Sequence, residues 1–242
     1  MLIALFAVLG LAFGSFSTVL IERVPQSKSV GGRSQCPKCN VPLRIHELIP
    51  VISFLVQGGT CRSCGSRIGI LYPAVELLSA AIFVWAALLH SDFWIALALA
   101  LALWLLAVMC IIDLQTKTIA DALNIPFIIT SIIYSLLIGQ FTWLGLLLPC
   151  MFFGVLWVLG RGKWIGSGDI LLGIGIGALA GDWRSAMASL MITYIMGALI
   201  LSLLLMTGRV TRKHHVAFVP FIALGIIIVL VLKTGLSPNT FW

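Results

Sequence analysis

Asp113 and Asp169 stand where carboxylates are costly. Asp113 closes the apolar run 103–112, and Asp169 ends Gly166-Ser167-Gly168-Asp169 and opens the run 170–180. An ionisable group at a membrane segment is a functional candidate by default. Two of them on different segments can make a pair. Adjacent carboxylates cannot both ionise easily, so they share a proton. The ionised one can take a proton from water while the protonated one polarises a peptide carbonyl. That is aspartyl-protease chemistry, with no covalent enzyme intermediate. Such a pair titrates as a unit, so neither residue is assigned as acid or base. An aspartate before an apolar run can also N-cap a helix, which would account for Asp169 alone. It does not account for Asp113, at a helix end where the dipole disfavours negative charge.

A second constellation is Cys36-Pro37-Lys38-Cys39 with Cys61-Arg62-Ser63-Cys64. Paired C-x-x-C knuckles have the ligand types and spacing of a four-thiolate zinc site. Pro37 and Gly65 suit the tight turns that knuckles need. Four thiolates leave no open position, so this zinc is structural. It would fold a short segment that lacks a core of its own. Disulfides are the alternative, but they rarely persist in the reducing cytoplasm, where the loop is assigned below. Cys110 and Cys150 lie inside apolar runs and read as small buried hydrophobes.

Other chemistries lack their motifs. There is no H-E-x-x-H, no G-x-S-x-G and no Walker loop. Gly173-Ile174-Gly175-Ile176-Gly177 lies within an apolar segment with no preceding strand, which favours helix packing over nucleotide binding. His214 and His215 sit among basic residues at a helix boundary. His46 and Glu47 precede the short apolar stretch 48–55, which is too short to span and reads as interfacial or packed on the bundle.

The elements that must hold these groups are membrane helices. The chain is 61% hydrophobic and only 10% charged. A span needs roughly 20 mostly apolar residues, and about eight candidates are present, at 2–22, 71–90, 93–112, 122–140, 142–160, 169–183, 186–207 and 216–233. Gly139 and Gly160 mark helix ends. The first run lacks the basic n-region of a cleaved signal peptide. With the N-terminus outside, 13 of the 15 Lys and Arg fall in cytoplasmic loops, as the positive-inside rule requires. The net charge of +7 therefore reports topology. Nucleic-acid binding would need a concentrated basic patch with stacking or base-reading groups, and none is visible.

This topology assigns Asp113, Asp169 and Asp121 to the cytoplasmic face. Asp92 and Asp182 fall in short outer connections and read as solvated loop residues. Gly173, Gly177 and Gly181 continue the i+4 series from Asp169. Small residues at that spacing let membrane helices pack closely, so the Asp169 face should meet another helix. The helix carrying Asp113 is the expected partner.

The ordered set of motifs resembles the prepilin leader peptidases, the membrane aspartyl proteases of type IV pilus, type II secretion and competence systems. The similar segments are Gly14-Ser15-Phe16 with Arg23-Val24-Pro25, the two knuckles, 49–53, 72–77, Asp113 with Ile119-Ala120-Asp121, Gly166–Asp169 and Pro220-Phe221. The resemblance implies a GxGD-type architecture with Asp113 and Asp169 as the catalytic pair. It implies removal of a short basic leader from prepilins or pseudopilins, after a glycine and before a hydrophobic segment. In many members S-adenosylmethionine-dependent N-methylation of the new N-terminus follows. The modest length is closest in style to competence-type members. Thr18, Ala120 and Leu171 stand where the family usually has Asn, Pro and Lys. None touches the aspartates, but no motif for the methyl donor can be read from the residues.

The expectation is thus an all-α polytopic protein of a bacterial cytoplasmic membrane. Residues 1–23 form the first span, 24–70 a cytoplasmic zinc-knuckle loop and 71–242 the catalytic bundle. Asp121, whose alternative role is to cap its helix, joins Glu22, Glu47 and Glu76 as the acids available to bind basic leader side chains. The alternatives are a non-enzymatic assembly protein whose zinc loop docks partners, and a proton-coupled transporter using the aspartates as a relay.

Overall fold

The computed structural model describes residues 1–208 and 216–235. His214, His215 and the basic residues Arg209, Arg212 and Lys213 lie outside the described residues. The chain divides into two compact units, Met1–Ala100 and Leu101–Trp242. Among the described residues the architecture is helical, without named strands, and all eight predicted segments form helices.

In the first unit α1 (Leu2–Arg23) leads through a loop to α2 (Ile52–Val56) and α3 (Leu71–Leu89). α1 and α3 pack along their lengths. Gly10 and Gly14, one turn apart, make this possible: a Cβ at Gly10 would lie 2.6 Å from the Ala80 Cα, and one at Gly14 2.5 Å from the Glu76 Cα. The Arg23 guanidinium then organises the loop by donating to the carbonyls of Ser29, Gly31 and Arg33. Ile45, Ile52, Leu55 and Val56 leave their apolar side chains exposed, the pattern expected of an interfacial stretch.

α4 (Phe93–Thr116) crosses from the first unit into the second, and α5 (Asp121–Leu137), α6 (Trp143–Leu159), α7 (Ser167–Ala180), α8 (Trp183–Met206) and α9 (Val219–Gly235) follow. By length and apolar composition α1, α3, α4 and α8 can each cross a membrane, whereas α5, α6, α7 and α9 are shorter apolar helices. α7 packs between α5 and α6, and α9 lies on α8.

The structure changes several sequence expectations and removes one alternative. α4 does not stop at Ile112 but continues to Thr116, so Asp113 lies inside its last turns. Asp169 is not the N-cap of α7: Gly166 holds that position, and Asp169 is the third helical residue. The glycine face of α7 meets α6 rather than the helix carrying Asp113. A Cβ on Gly173 would lie 2.6 Å from the Phe153 ring, and one on Gly177 would fall on the Gly145 carbonyl. Gly175 faces Phe127 of α5 in the same way. Finally, Asp92 stays exposed in its connection, as expected, while accepting from the next helix, whereas Asp182 is half-buried and caps α8. Asp92 Oδ1 accepts from the amides of Trp94 and Ile95. Asp182 accepts from the Ser185 amide and pairs with Lys233 at 2.7 Å.

Candidate functional site

Asp113 and Asp169 come together at one cavity of about 950 Å³ within the second unit. Both side chains are buried, and both line this cavity. Each carboxylate is oriented by backbone. Asp113 Oδ2 accepts from the Val219 amide at 2.9 Å. Val219 is the first residue of α9, so the helix α9 presents its free N–H end, and the positive end of its dipole, to a carboxylate. Asp169 Oδ2 accepts from the Gly166 amide at 2.9 Å, which closes the Gly166–Asp169 turn on itself. The pair is thus assembled from the end of α4, the start of α7 and the start of α9.

Gly168, the second residue of α7, is closely approached. A Cβ on Gly168 would lie 3.2 Å from the Ile119 Cβ, in the connection after α4. The rest of the cavity wall mixes apolar and cationic groups: Tyr194, Phe218 and Phe221 on one side, Lys117 and Lys163 at its edge. Tyr194 and Phe218 pack at a tilt with centroids 5.7 Å apart, and Phe218 meets Phe153 edge-on at 6.1 Å.

The first unit carries the second constellation. The ligand atoms of Cys36, Cys39, Cys61 and Cys64 all lie within 4.8 Å of one another. The two knuckles have the same backbone. In each, the first cysteine's carbonyl accepts from the residue four positions on, Asn40 at 2.9 Å and Gly65 at 2.8 Å. Each of those residues is left-handed, with φ 55° and 68°, which is why Asn and Gly occupy them. The bridges Gln35–Pro42 and Thr60–Arg67 close the two turns. Zinc–sulfur bonds of about 2.3 Å place tetrahedral sulfurs roughly 3.8 Å apart. Cys36 Sγ and Cys64 Sγ are 3.9 Å apart, so the group fits such an ion. The amides of Cys39 and Lys38 lower Cys36 to about 6. The Ser66 hydroxyl and amide lower Cys64. Cys39 is raised to about 11, the Val41 amide opposing while desolvation and the other three thiols prevail. His46 is not part of this group and contacts Arg62 at 3.1 Å.

Of the four acids expected to meet a basic leader, Glu22, Glu47 and Glu76 line one cavity of about 310 Å³ in the first unit. Each already accepts a protein hydrogen bond, from Tyr72 Oη, the Arg44 amide and the Val51 amide respectively. Asp121 stands apart: it is exposed, lines neither cavity and begins α5. Ala120, not Asp121, is the cap of that helix, so the Asp121 charge acts on it only through the dipole.

Two contacts at the aspartate cavity escaped the sequence reading. The α9 N-terminus gave no local signal, because nothing in Ala217–Pro220 announces a partner 106 residues away. Asn124 did give one. It is a fully buried polar residue in an apolar helix, and its Nδ2 donates to the Gly168 carbonyl at 3.1 Å.

Residues 8–90 match the bacterial peptidase A24 N-terminal domain and residues 99–202 the type IV leader peptidase family. A prepilin leader peptidase/N-methyltransferase of Bacillus subtilis (strain 168) is 33% identical over 235 residues, 94% of this chain and 93% of that protein. Proteins of the same name from Neisseria gonorrhoeae and Aeromonas salmonicida (strain A449) are 30% and 32% identical. They cover 90% and 80% of this chain, and the chain covers 86% and 69% of them. No solved structure matches. With a relative aligned over nearly the whole of both chains, the protein belongs to the type IV leader peptidase family.

Proposed function

We propose that this chain is a membrane aspartyl endopeptidase that removes the short basic leader of type IV prepilins or pseudopilins, with Asp113 and Asp169 as the catalytic pair. The observation that carries this reading is the convergence of both carboxylates on one cavity, each held by a backbone amide. One shared proton serves the pair. The ionised carboxylate removes a proton from a water molecule as its oxygen attacks the scissile carbonyl carbon. The protonated carboxyl gives its proton to the carbonyl oxygen, forming a neutral tetrahedral diol. Collapse of the diol passes a proton to the leaving amine and breaks the C–N bond, leaving the pair with one proton again. The Val219 and Gly166 amides each hold one carboxylate oxygen.

The setting is the cytoplasmic membrane of a bacterium, with the N-terminus outside and the aspartates at the cytoplasmic face, on the loop-charge count. In this GxGD-type architecture residues 1–23 form the first of eight spans, 24–70 the cytoplasmic loop folded by structural zinc on Cys36, Cys39, Cys61 and Cys64, and 71–242 the catalytic bundle. Glu22, Glu47 and Glu76 contact basic leader residues, with Asp121 as a separate, exposed contact.

The relatives' names also carry N-methylation. The cavity of the first unit has residue types that the methyl donor S-adenosylmethionine would need: Phe54 and Tyr72 offer flat apolar surface, and the three glutamates would face its cationic groups only when no leader side chain holds them. When bound, S-adenosylmethionine would supply an electrophilic methyl to the amine released by cleavage.

The test is cleavage of a leader-bearing pilin in proteoliposomes by the full chain and by Asp113→Asn and Asp169→Asn. Loss in either variant at normal protein level supports the reading, and full cleavage with both replaced sinks it. Mass spectrometry of the mature N-terminus reads methylation in the same reaction.

A further inference from the structure

We infer that Asn124 is a positioning residue for Asp169. The inference rests on the reading of Asp113 and Asp169 as the catalytic pair. Asn124 sits on α5, whose neighbours Leu123, Ile125 and Pro126 are apolar, and it is fully buried. Asparagine is a poor residue for such a place. It disfavours helix interiors, and a buried amide loses its hydrogen bonds to water. A leucine of similar size would be free of both penalties.

The amide is nevertheless spent on one contact. Nδ2 donates to the Gly168 carbonyl at 3.1 Å, while Oδ1 is buried with no donor. The end facing Gly168 must be the NH₂, because a carbonyl oxygen can only accept. A side chain that satisfies one end and strands the other adds little to stability, so its value lies in what it holds. The Gly168 carbonyl belongs to the peptide group whose N–H is that of Asp169. That N–H donates to the Gly166 carbonyl at 3.2 Å. Both edges of the peptide are therefore gripped, one by Gly166 and one by Asn124. The Asp169 carboxylate is tied in turn to the Gly166 amide. Removing Asn124 frees the plane that sets the direction of the Asp169 side chain without altering either carboxylate, and Asn124 itself does not line the cavity.

Two variants test this in proteoliposomes, with a pilin bearing a short basic leader as substrate. Asn124→Leu should lower kcat about tenfold or more while KM stays within about twofold, the signature of lost transition-state geometry. Asn124→Asp keeps the shape and makes the donor conditional. Ionised, it repels both the Gly168 carbonyl and Asp169; protonated, its O–H can donate to that carbonyl. The ratio of its kcat to that of the parent should rise about tenfold or more as pH falls from about 8 to about 5. A merely structural asparagine predicts a flat ratio, and a flat ratio overturns the proposal even if Asn124→Leu fails to accumulate. Unchanged kcat in Asn124→Leu, with cleavage lost in Asp169→Asn, overturns the positioning role alone. Retained cleavage in Asp169→Asn overturns the pair and this role with it.

Discussion

Four cysteines in the first unit and two aspartates in the second reach their sites by different means. The thiols come from two five-residue turns of identical hydrogen bonding, closed by local bridges and left-handed residues at Asn40 and Gly65. The chain between the turns is short, and little besides the turns is needed to define them. The aspartates come from α4 and α7, 56 residues apart, and their second supports from α9 and from the α7 turn. Nothing local holds Asp113 to Asp169. Helix packing does, and glycines at 173, 175 and 177 set how closely α7 approaches α6 and α5. A site written in turns tolerates change elsewhere; a site written in packing depends on residues that never touch substrate.

The largest expected effect falls on the aspartates. Asp169→Asn should lower the cleavage rate by about a thousandfold or more, since a pair acting as a unit fails when either member is lost. The protein should still reach the membrane in normal amount. The rate constant for leader cleavage in proteoliposomes checks this.

Next in size is the thiol group. With zinc on the four thiols as proposed, Cys61→Ser removes a ligand from a segment that lacks its own core, and zinc binding in such segments is worth about 10–16 kcal/mol. The variant should lose its bound metal, and the 24–70 segment should become sensitive to limited proteolysis. Metal analysis and peptide mapping read both. If the knuckles stay protected without metal, the contrast between the two sites weakens, because the turns would then suffice.

The contrast sharpens with Gly177→Ala, which touches neither constellation. Its methyl would fall on the Gly145 carbonyl, and overpacking of this kind costs typically 1–3 kcal/mol. Thermal unfolding in detergent should drop, and cleavage should fall with it because α7 carries Asp169. Cys61→Ser metal loss has no counterpart in this variant. Unchanged unfolding would mean that α7 is not held by close approach.

The smallest effect is at Lys233. Its ammonium donates to Asp182, Gln140 and the Ala180 carbonyl. Burial of Asp182 works against ionisation, but Lys233 and Ser185 hold its carboxyl down at about 2. A carboxyl depressed in the folded state contributes stability above its ordinary range and loses it as pH falls toward the folded value. Lys233→Met should therefore lower the unfolding temperature by a few degrees at neutral pH, and the gap to the parent should narrow below about pH 4. A gap that widens on acidification contradicts the ion pair.

Much of this was legible in the chain. Hydropathy found the eight apolar helices α1 and α3 to α9, because a helix satisfies its own backbone and can turn apolar groups outward. The knuckles were legible for the reason given above: their partners are near in sequence. Asp113 and Asp169 were legible as costly charges. What the sequence hid was whom each helix meets. The Asp169–Gly181 glycine series announced a close neighbour but not its identity, and the neighbour is α6. Sequence charge counting left Asp182 in solvent, because its partner Lys233 is 51 residues on. The α9 N-terminus was hidden for the same reason, since a backbone amide has no letter. Asn124 was visible in principle, as a polar residue in an apolar helix, and went unread.

The central claim is that Asp113 and Asp169 work as one proton-sharing unit. A double-mutant cycle on residual leader cleavage tests it most directly, comparing Asp113→Asn, Asp169→Asn and the double variant at high enzyme concentration. The account predicts that the double variant is no slower than the slower single variant, because the unit is already lost. Two independent losses that multiply in the double variant would contradict it.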